Sequence, residues 1–248
     1  MVMHRRISEQ PRDKRYKRKR NPVLALICEG SDTEPLYFSN FKNKFINIDI
    51  QIVRNSSKAG KKTDPINIIK KAYEYKSKNN DILNYKDGDR IWCIFDVDID
   101  YKNHNSKESK YDQIVKTKKL ADKRKIDLGI SNPCFELWYL LHFEYSTAFL
   151  KDYNDVEKRL KRNINSYSKS SNIYPLLKDN TENAIENANR LRKYYIDLDK
   201  NLNDPKDIID CNPYTNIQDL VSYIKSFSGD GVSKMLHYDK FIAGKNYK

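Results

Sequence analysis

Four short apolar runs, each followed by a segment of helical pattern, most constrain the fold this chain can adopt. They are "PVLALIC" (22–28), "IDIQIVR" (48–54), "DRIWCIFDVD" (89–98) and "IDLGIS" (126–131). Each is strand-length, rich in Val and Ile, and bounded by polar residues, which reads as a buried strand. Between them, "SDTEPLYFSNFKNKF" carries Ser31 and Glu34 at capping-box spacing. "DPINIIKKAYEYKSK" has Asp64 placed to cap a helix and Pro65 just inside it. "ESKYDQIVKTKKLADKR" and "NPCFELWYLLHF" complete the set of helices, the last with Asn132 as cap and Pro133 as first residue. Strands alternating with helices pair in parallel through right-handed crossovers, so the chain is α/β, a parallel sheet covered by helices. Beyond about residue 150 the strand signal stops and segments 152–164, 180–195 and 212–227 read as helices. Residues 150–248 are therefore a mainly helical C-terminal half, either a flank on the same sheet or a small subdomain.

The acidic residues fall where such sheets bind ligands, beyond the carboxyl ends of the strands. Glu29 follows the first strand, with Gly30 behind it to permit close approach. Asp96 and Asp98 end the third strand, and residues two apart on a strand share a face about 7 Å apart. Carboxylates gathered at one point repel one another unless a cation holds them, and Mg²⁺ or Mn²⁺ suits a site of one or two carboxylates completed by water and phosphate. Asp100 continues the alternation as a weaker candidate. Glu136 lies in a helix apolar nearly all round, so its charge needs either a buried cationic partner or a role in the site. His142 does not share a helix face with Glu136 and reads as a core histidine, as Phe135 and Trp138 read as core aromatics.

Charge points to an anionic partner. The 248 residues carry 47 Lys+Arg against 34 Asp+Glu, a net +13. Segment 1–20 alone holds nine Lys/Arg against Glu9 and Asp13. Residues 1–21 thus read as a flexible basic arm, with Arg15, Lys17, Arg18, Lys19 and Arg20 as its densest phosphate contacts. No run approaches the ~20 apolar residues of a membrane span, and the first residues form no secretory signal, so a soluble, cytoplasmic protein is expected. Cys28, Cys93, Cys134 and Cys211 are too scattered for a zinc site or a disulfide framework and read as buried thiols.

Six motifs in order resemble a known family. "LICEGSDTEPLYF", "WCIFDVD", "SNPCFELWYLLHF", "YSK" at 167–169, "AIENANRL" and "NPYTNIQDLV" are similar in sequence and approximate spacing to the RloB-like family, which includes abortive-infection components of the AbiL type. The similarity spans roughly residues 22–226, within a domain taken as 22–248. That resemblance implies a Toprim-like fold, in which a Glu-Gly after the first strand and a later Asp-x-Asp hold metal. Glu29 then takes the glutamate's place and Asp96 and Asp98 the aspartates'. Glu136 and Lys169 match positions typical of the family.

The implied activity is metal-dependent cleavage of phosphodiester bonds. Mg²⁺ or Mn²⁺ on Glu29, Asp96 and Asp98 would activate water and neutralise the transition state, with Lys169 stabilising developing charge. The resemblance implies nucleic acid as substrate, RNA before DNA and tRNA among the RNA candidates, in antiphage abortive infection beside an ATPase sensor. No GxxxxGK[ST] loop occurs here, so ATP-dependent control would come from that partner. Two alternatives stand: a non-catalytic nucleic-acid-binding or sensor subunit, and a haloacid-dehalogenase-type phosphatase with Asp96 as nucleophile and Asp98 as acid/base. The second wants Thr or Val where this chain has Asp100.

Overall fold

The structure, a computed structural model, describes residues 20–43, 45–53 and 64–228. The four expected strands are present as β1 (Val23–Cys28), β2 (Asp49–Val53), β3 (Arg90–Asp96) and β4 (Asp127–Asn132). They lie in the order β2-β1-β3-β4, all parallel. A fifth strand, β5 (Tyr214–Thr215), adds to β4 in the antiparallel sense, so the sheet is mixed and not all parallel. Tyr214 and Thr215, within a stretch expected to be helical, form this strand, and the helix α9 (Ile217–Lys225) begins only after it.

The order makes the chain change direction once. It leaves β1 for β2 on one side through α1 (Thr33–Ser39), then crosses to β3 and β4 on the other through α2 (Pro65–Lys78) and α3 (Ser106–Arg124). Right-handed crossovers running in opposite directions place their helices on opposite faces. Leu24 and Leu26 of β1 accordingly pack with Tyr37 and Phe38 of α1, whereas Ala25 and Ile27 pack with Ile68, Ile69 and Ala72 of α2. All six residues of β1 are buried, as a central strand covered on both faces requires. Asp64 caps α2 as expected, its carboxylate accepting the Ile66 N–H at 2.8 Å, with Pro65 as first helical residue.

The C-terminal helices α5 (Tyr153–Leu160), α6 (Tyr174–Leu177), α7 (Thr181–Asp197) and α9 join the α1 face of the sheet, while α8 (Pro205–Asp210) packs on the α2–α3 face. Val156, Leu160, Ala184, Leu191 and Leu220 share one apolar core with Leu24, Trp92 and Ile94. They flank the same sheet that carries the carboxylates.

Two local expectations are corrected. Pro133 does not open a helix: the Asn132–Pro133 peptide is cis, and α4 (Glu136–Leu141) starts three residues later. Asn132 is the last residue of β4, and its amide donates to the Ile209 and Cys211 carbonyls at 3.0 and 2.8 Å instead of capping α4. Ser31 does not cap α1 either; Asp32 stands at that position without a side-chain cap bond, and the Ser31 hydroxyl donates to Asp32. Among the described residues, no helix is long and apolar enough to cross a membrane.

Candidate functional site

β1 and β3 are neighbours from which the chain departs in opposite directions, and the crevice at their carboxyl ends is where open α/β sheets bind ligands. Glu29 and Asp96 sit at its two lips. The backbone of Glu29 prolongs the ladder, its N–H donating to the Ile94 carbonyl at 2.9 Å. Its carboxylate then crosses to β3, where Oε2 accepts the Asp96 N–H at 3.0 Å. Sheet pairing thus fixes both the position and the orientation of Glu29.

Asp96 is strongly perturbed. Its Oδ1 is sealed from solvent and has no hydrogen-bond partner. Burial, followed by the neighbouring Glu34, Glu29 and Glu136 carboxylates, pushes its pKa well above the usual carboxylate range, so it holds its proton more tightly. Lys169 pulls in the other direction with a smaller effect. An unsatisfied buried carboxylate oxygen among three other carboxylates is costly, and either a proton or a cation relieves it.

Glu34 is the residue that sequence reading missed. The S-x-x-E spacing suggested a cap, yet Glu34 is 4% exposed and turned inward. Its Oε1 accepts the Gly30 N–H at 3.1 Å, four residues back. Burial raises it from 4.5 to about 7, against the pull of that N–H and with the help of Glu136 and Glu29. Gly30 is what permits the approach, because a Cβ there would overlap the Glu34 carboxylate. The close approach expected at Gly30 is thus made by a side chain from the first turn of α1.

Glu136 opens α4 below the crevice, 1% exposed. The Thr33 and Tyr167 hydroxyls each reach its Oε1 at 3.4 Å, and the Lys169 ammonium lies 3.9 Å from the same oxygen. Lys169 is mostly solvent-exposed and also sits over the Tyr153 ring at 4.8 Å. Partial burial would lower its basicity, but Glu136 and Asp96 outweigh it and raise it, so the ammonium stays charged. Both sequence alternatives for Glu136 meet here: it has a cationic partner, and that pair faces the carboxylates of the crevice.

Asp98 departs from strand geometry. β3 ends at Asp96, and Asp98 takes a left-handed backbone with φ 44°, its N–H donating to the Pro133 carbonyl at 3.1 Å. The pleat that would set Asp96 and Asp98 about 7 Å apart on one face stops between them. Alternation of burial nevertheless continues, with Val97 and Ile99 in the core.

Among the described residues, no three His, Cys, Asp or Glu side chains gather closely enough to enclose a metal ion. A hydrated Mg²⁺ does not need an enclosure; one or two carboxylates suffice when water and phosphate complete the shell. Asp96, with its unpartnered oxygen, together with Glu29, fits that requirement.

The remaining candidates divide. His142 is a core residue, its Nδ1 paired with the Trp138 carbonyl at 2.9 Å and its basicity lowered to about 4 by burial. The four cysteines are buried free thiols. Arg15, Lys17, Arg18 and Lys19 lie outside the described residues. Arg20 does not join a free arm. Its guanidinium grips buried Asp89 through two bonds of 3.1 and 2.6 Å, and Asp89 also accepts the Val23 and Asn84 N–H groups. A hollow of about 570 Å³ lined by Lys42, Asn47 and Asp49 opens at the amino end of β2, the opposite edge of the sheet from the carboxylates.

Comparison with known proteins gives one match. The family model described as RloB-like protein matches residues 24–224, from the second residue of β1 to the greater part of α9. No curated protein and no solved structure matches the chain. A model that spans this crevice and most of the chain settles the relationship, and the chain belongs to the RloB-like family.

Proposed function

We propose that this chain is a metal-dependent phosphodiesterase acting on nucleic acid, with Toprim-like chemistry at the β1–β3 crevice. The observation that carries the reading is the buried, unpartnered Oδ1 of Asp96 beside Glu29, Glu34 and Glu136. A carboxylate left unsatisfied among like charges suits a divalent cation better than it suits a scaffold. Asp96 with Glu29 would hold Mg²⁺ or Mn²⁺; Asp98, on the loop just beyond, would complete the acidic lip. Such an ion supplies charge neutralisation at the phosphate and a more acidic bound water.

The chain's own residues would do the rest. Glu29, fixed by the Asp96 N–H, holds its carboxylate rigidly at the crevice mouth. Glu34, raised to about 7, can take or give a proton near neutral pH, the range in which general acid–base catalysis is effective. Lys169, ammonium outward and charge retained, can bind a phosphate oxygen as negative charge develops. The basic residues 1–19 would add phosphate contacts and salt-dependent affinity.

The RloB-like membership, with its resemblance to defence nucleases, favours RNA over DNA, a role in antiphage abortive infection, and an ATPase partner. The test is direct: the purified chain is incubated with labelled RNA and DNA in Mg²⁺, Mn²⁺ or EDTA, beside a phosphomonoester assay. Strand cleavage in metal and none in EDTA supports the reading. Monoester hydrolysis alone would favour the phosphatase, and tight binding without cleavage the sensor subunit.

A further inference from the structure

We propose that Tyr101 and Phe149 form a stacking platform for an unpaired nucleobase beside the crevice, so that the nucleic acid engaged there is single-stranded or locally unpaired. The inference rests on the nucleic-acid reading above and narrows its substrate class. The two rings lie edge to face with centroids 5.3 Å apart, yet Tyr101 is 41% and Phe149 57% exposed. Exposed aromatic pairs expose apolar area to water without a return in core packing, whereas nucleobases stack on such faces regardless of sequence.

Position and rigidity support that role. Tyr101 follows Asp98 by three residues, so their Cα atoms are at most about 11 Å apart. A strand held at the carboxylates has a base within reach of the rings. Phe149 is not on a loose loop: next to it Leu150 is buried, and both backbone polar groups of Leu150 pair with the Asn212 amide at 3.0 and 2.8 Å. The Tyr101 hydroxyl also lies against the Asn212 side chain. Asn212 in turn donates to Asn132 at 3.3 Å, the residue that ends β4. One amide network therefore fixes the rings to the strand that leads into Glu136.

Charge around the rings suits a polyanion. Lys102 follows Tyr101, Lys151 lies two residues after Phe149, and both are exposed. Neither takes part in an ion pair among the described residues. Rings supply base contacts and lysines supply phosphate contacts, the pairing that single-strand sites use. A duplex keeps its bases stacked inside and offers the rings nothing to hold.

The test measures binding of the full chain to fluorescent RNA and DNA oligonucleotides, single-stranded and duplex, in Ca²⁺ and again in EDTA. Tyr101→Ala with Phe149→Ala should weaken single-strand binding by about five- to 150-fold, the range per stacked base, and change duplex binding by less than about twofold. Tyr101→Trp should retain affinity. Because Trp92 and Trp138 are both buried, it would be the one exposed indole among the described residues, and its emission should be quenched as the strand binds. Equal loss on single strand and duplex, undiminished binding by the double variant, absence of single-strand binding by the intact chain, or unquenched Trp emission at saturation would each overturn the platform. Binding is read without cleavage, so a platform that binds in a chain that does not cut leaves this inference standing and removes only the catalytic one.

Discussion

The carboxylate of Glu29 accepts the backbone N–H of Asp96 at 3.0 Å, tying the end of β1 to the end of β3. Two neighbouring parallel strands are thereby tied together at the point where the sheet opens, which keeps the Glu29 carboxylate beside Asp96. Burial first, and the repulsion among these carboxylates second, appear as raised pKa values at Asp96 and Glu34. The crevice holds charge in tension until a proton or cation enters.

That tension has a pH signature in the metal-free chain. Glu34 rises from 4.5 to about 7 on folding. Below pH 4.5 it is protonated in both states and costs nothing. Between 4.5 and 7 the unfolded chain releases the proton while the folded chain keeps it, so stability falls as pH rises; above 7 the full cost, about 3 kcal/mol, is present. Thermal melts in EDTA from pH 4.5 to 8, with Glu34→Gln as control, should show the wild type losing on the order of 10 °C relative to the variant. Parallel curves would mean Glu34 is not buried as described.

Glu136→Gln separates scaffold from site. A fully buried ion pair broken on one side costs about 3–5 kcal/mol. Here Lys169 is largely exposed and 3.9 Å away, so the pair behaves as a surface contact worth at most about 1 kcal/mol. The Gln oxygen can still accept from Thr33 and Tyr167. Urea unfolding should therefore place Glu136→Gln within about 1 kcal/mol of wild type while cleavage falls at least tenfold. A loss of 3 kcal/mol with activity retained would assign Glu136 to the scaffold.

Arg20, which charge alone assigned to the arm of residues 1–21, is anchored to Asp89. Deleting residues 1–19 removes eight Lys/Arg, Glu9 and Asp13 but spares the Arg20–Asp89 pair. That deletion should keep the melting temperature and flatten the salt dependence of nucleic-acid binding. Deleting 1–20 should in addition lower the melting temperature, because Asp89 is left buried without its cation. Equal melting temperatures for the two truncations would deny Arg20 a structural role.

Particular residues show what sequence could and could not convey. β1 to β4 were legible because each is a continuous apolar run between turn signals, and the placement of Glu29 and Asp96 at strand ends because each directly follows such a run. β5 was not: two residues have no periodicity, and pairing with β4 is set 84 positions away through Ser131 and Thr215. Glu34 was hidden because S-x-x-E has the same spacing whether the carboxylate caps a helix or folds inward over Gly30. Asp98's left-handed backbone leaves no trace in an Asp-x-Asp string. Arg20 read as one more arm cation because its partner, Asp89, is 69 residues away.

The most direct measurement is made on Asp96→Asn. The amide keeps the side chain's shape and removes the charge that an ion would satisfy. Calorimetric titration with Mn²⁺ should show binding to the wild-type chain and at least tenfold weaker binding to Asp96→Asn, and in parallel assays the variant should cleave neither RNA nor DNA while melting at the wild-type temperature or above. Mn²⁺ affinity and cleavage unchanged in a folded Asp96→Asn would contradict the assignment of the β1–β3 crevice as the catalytic metal site.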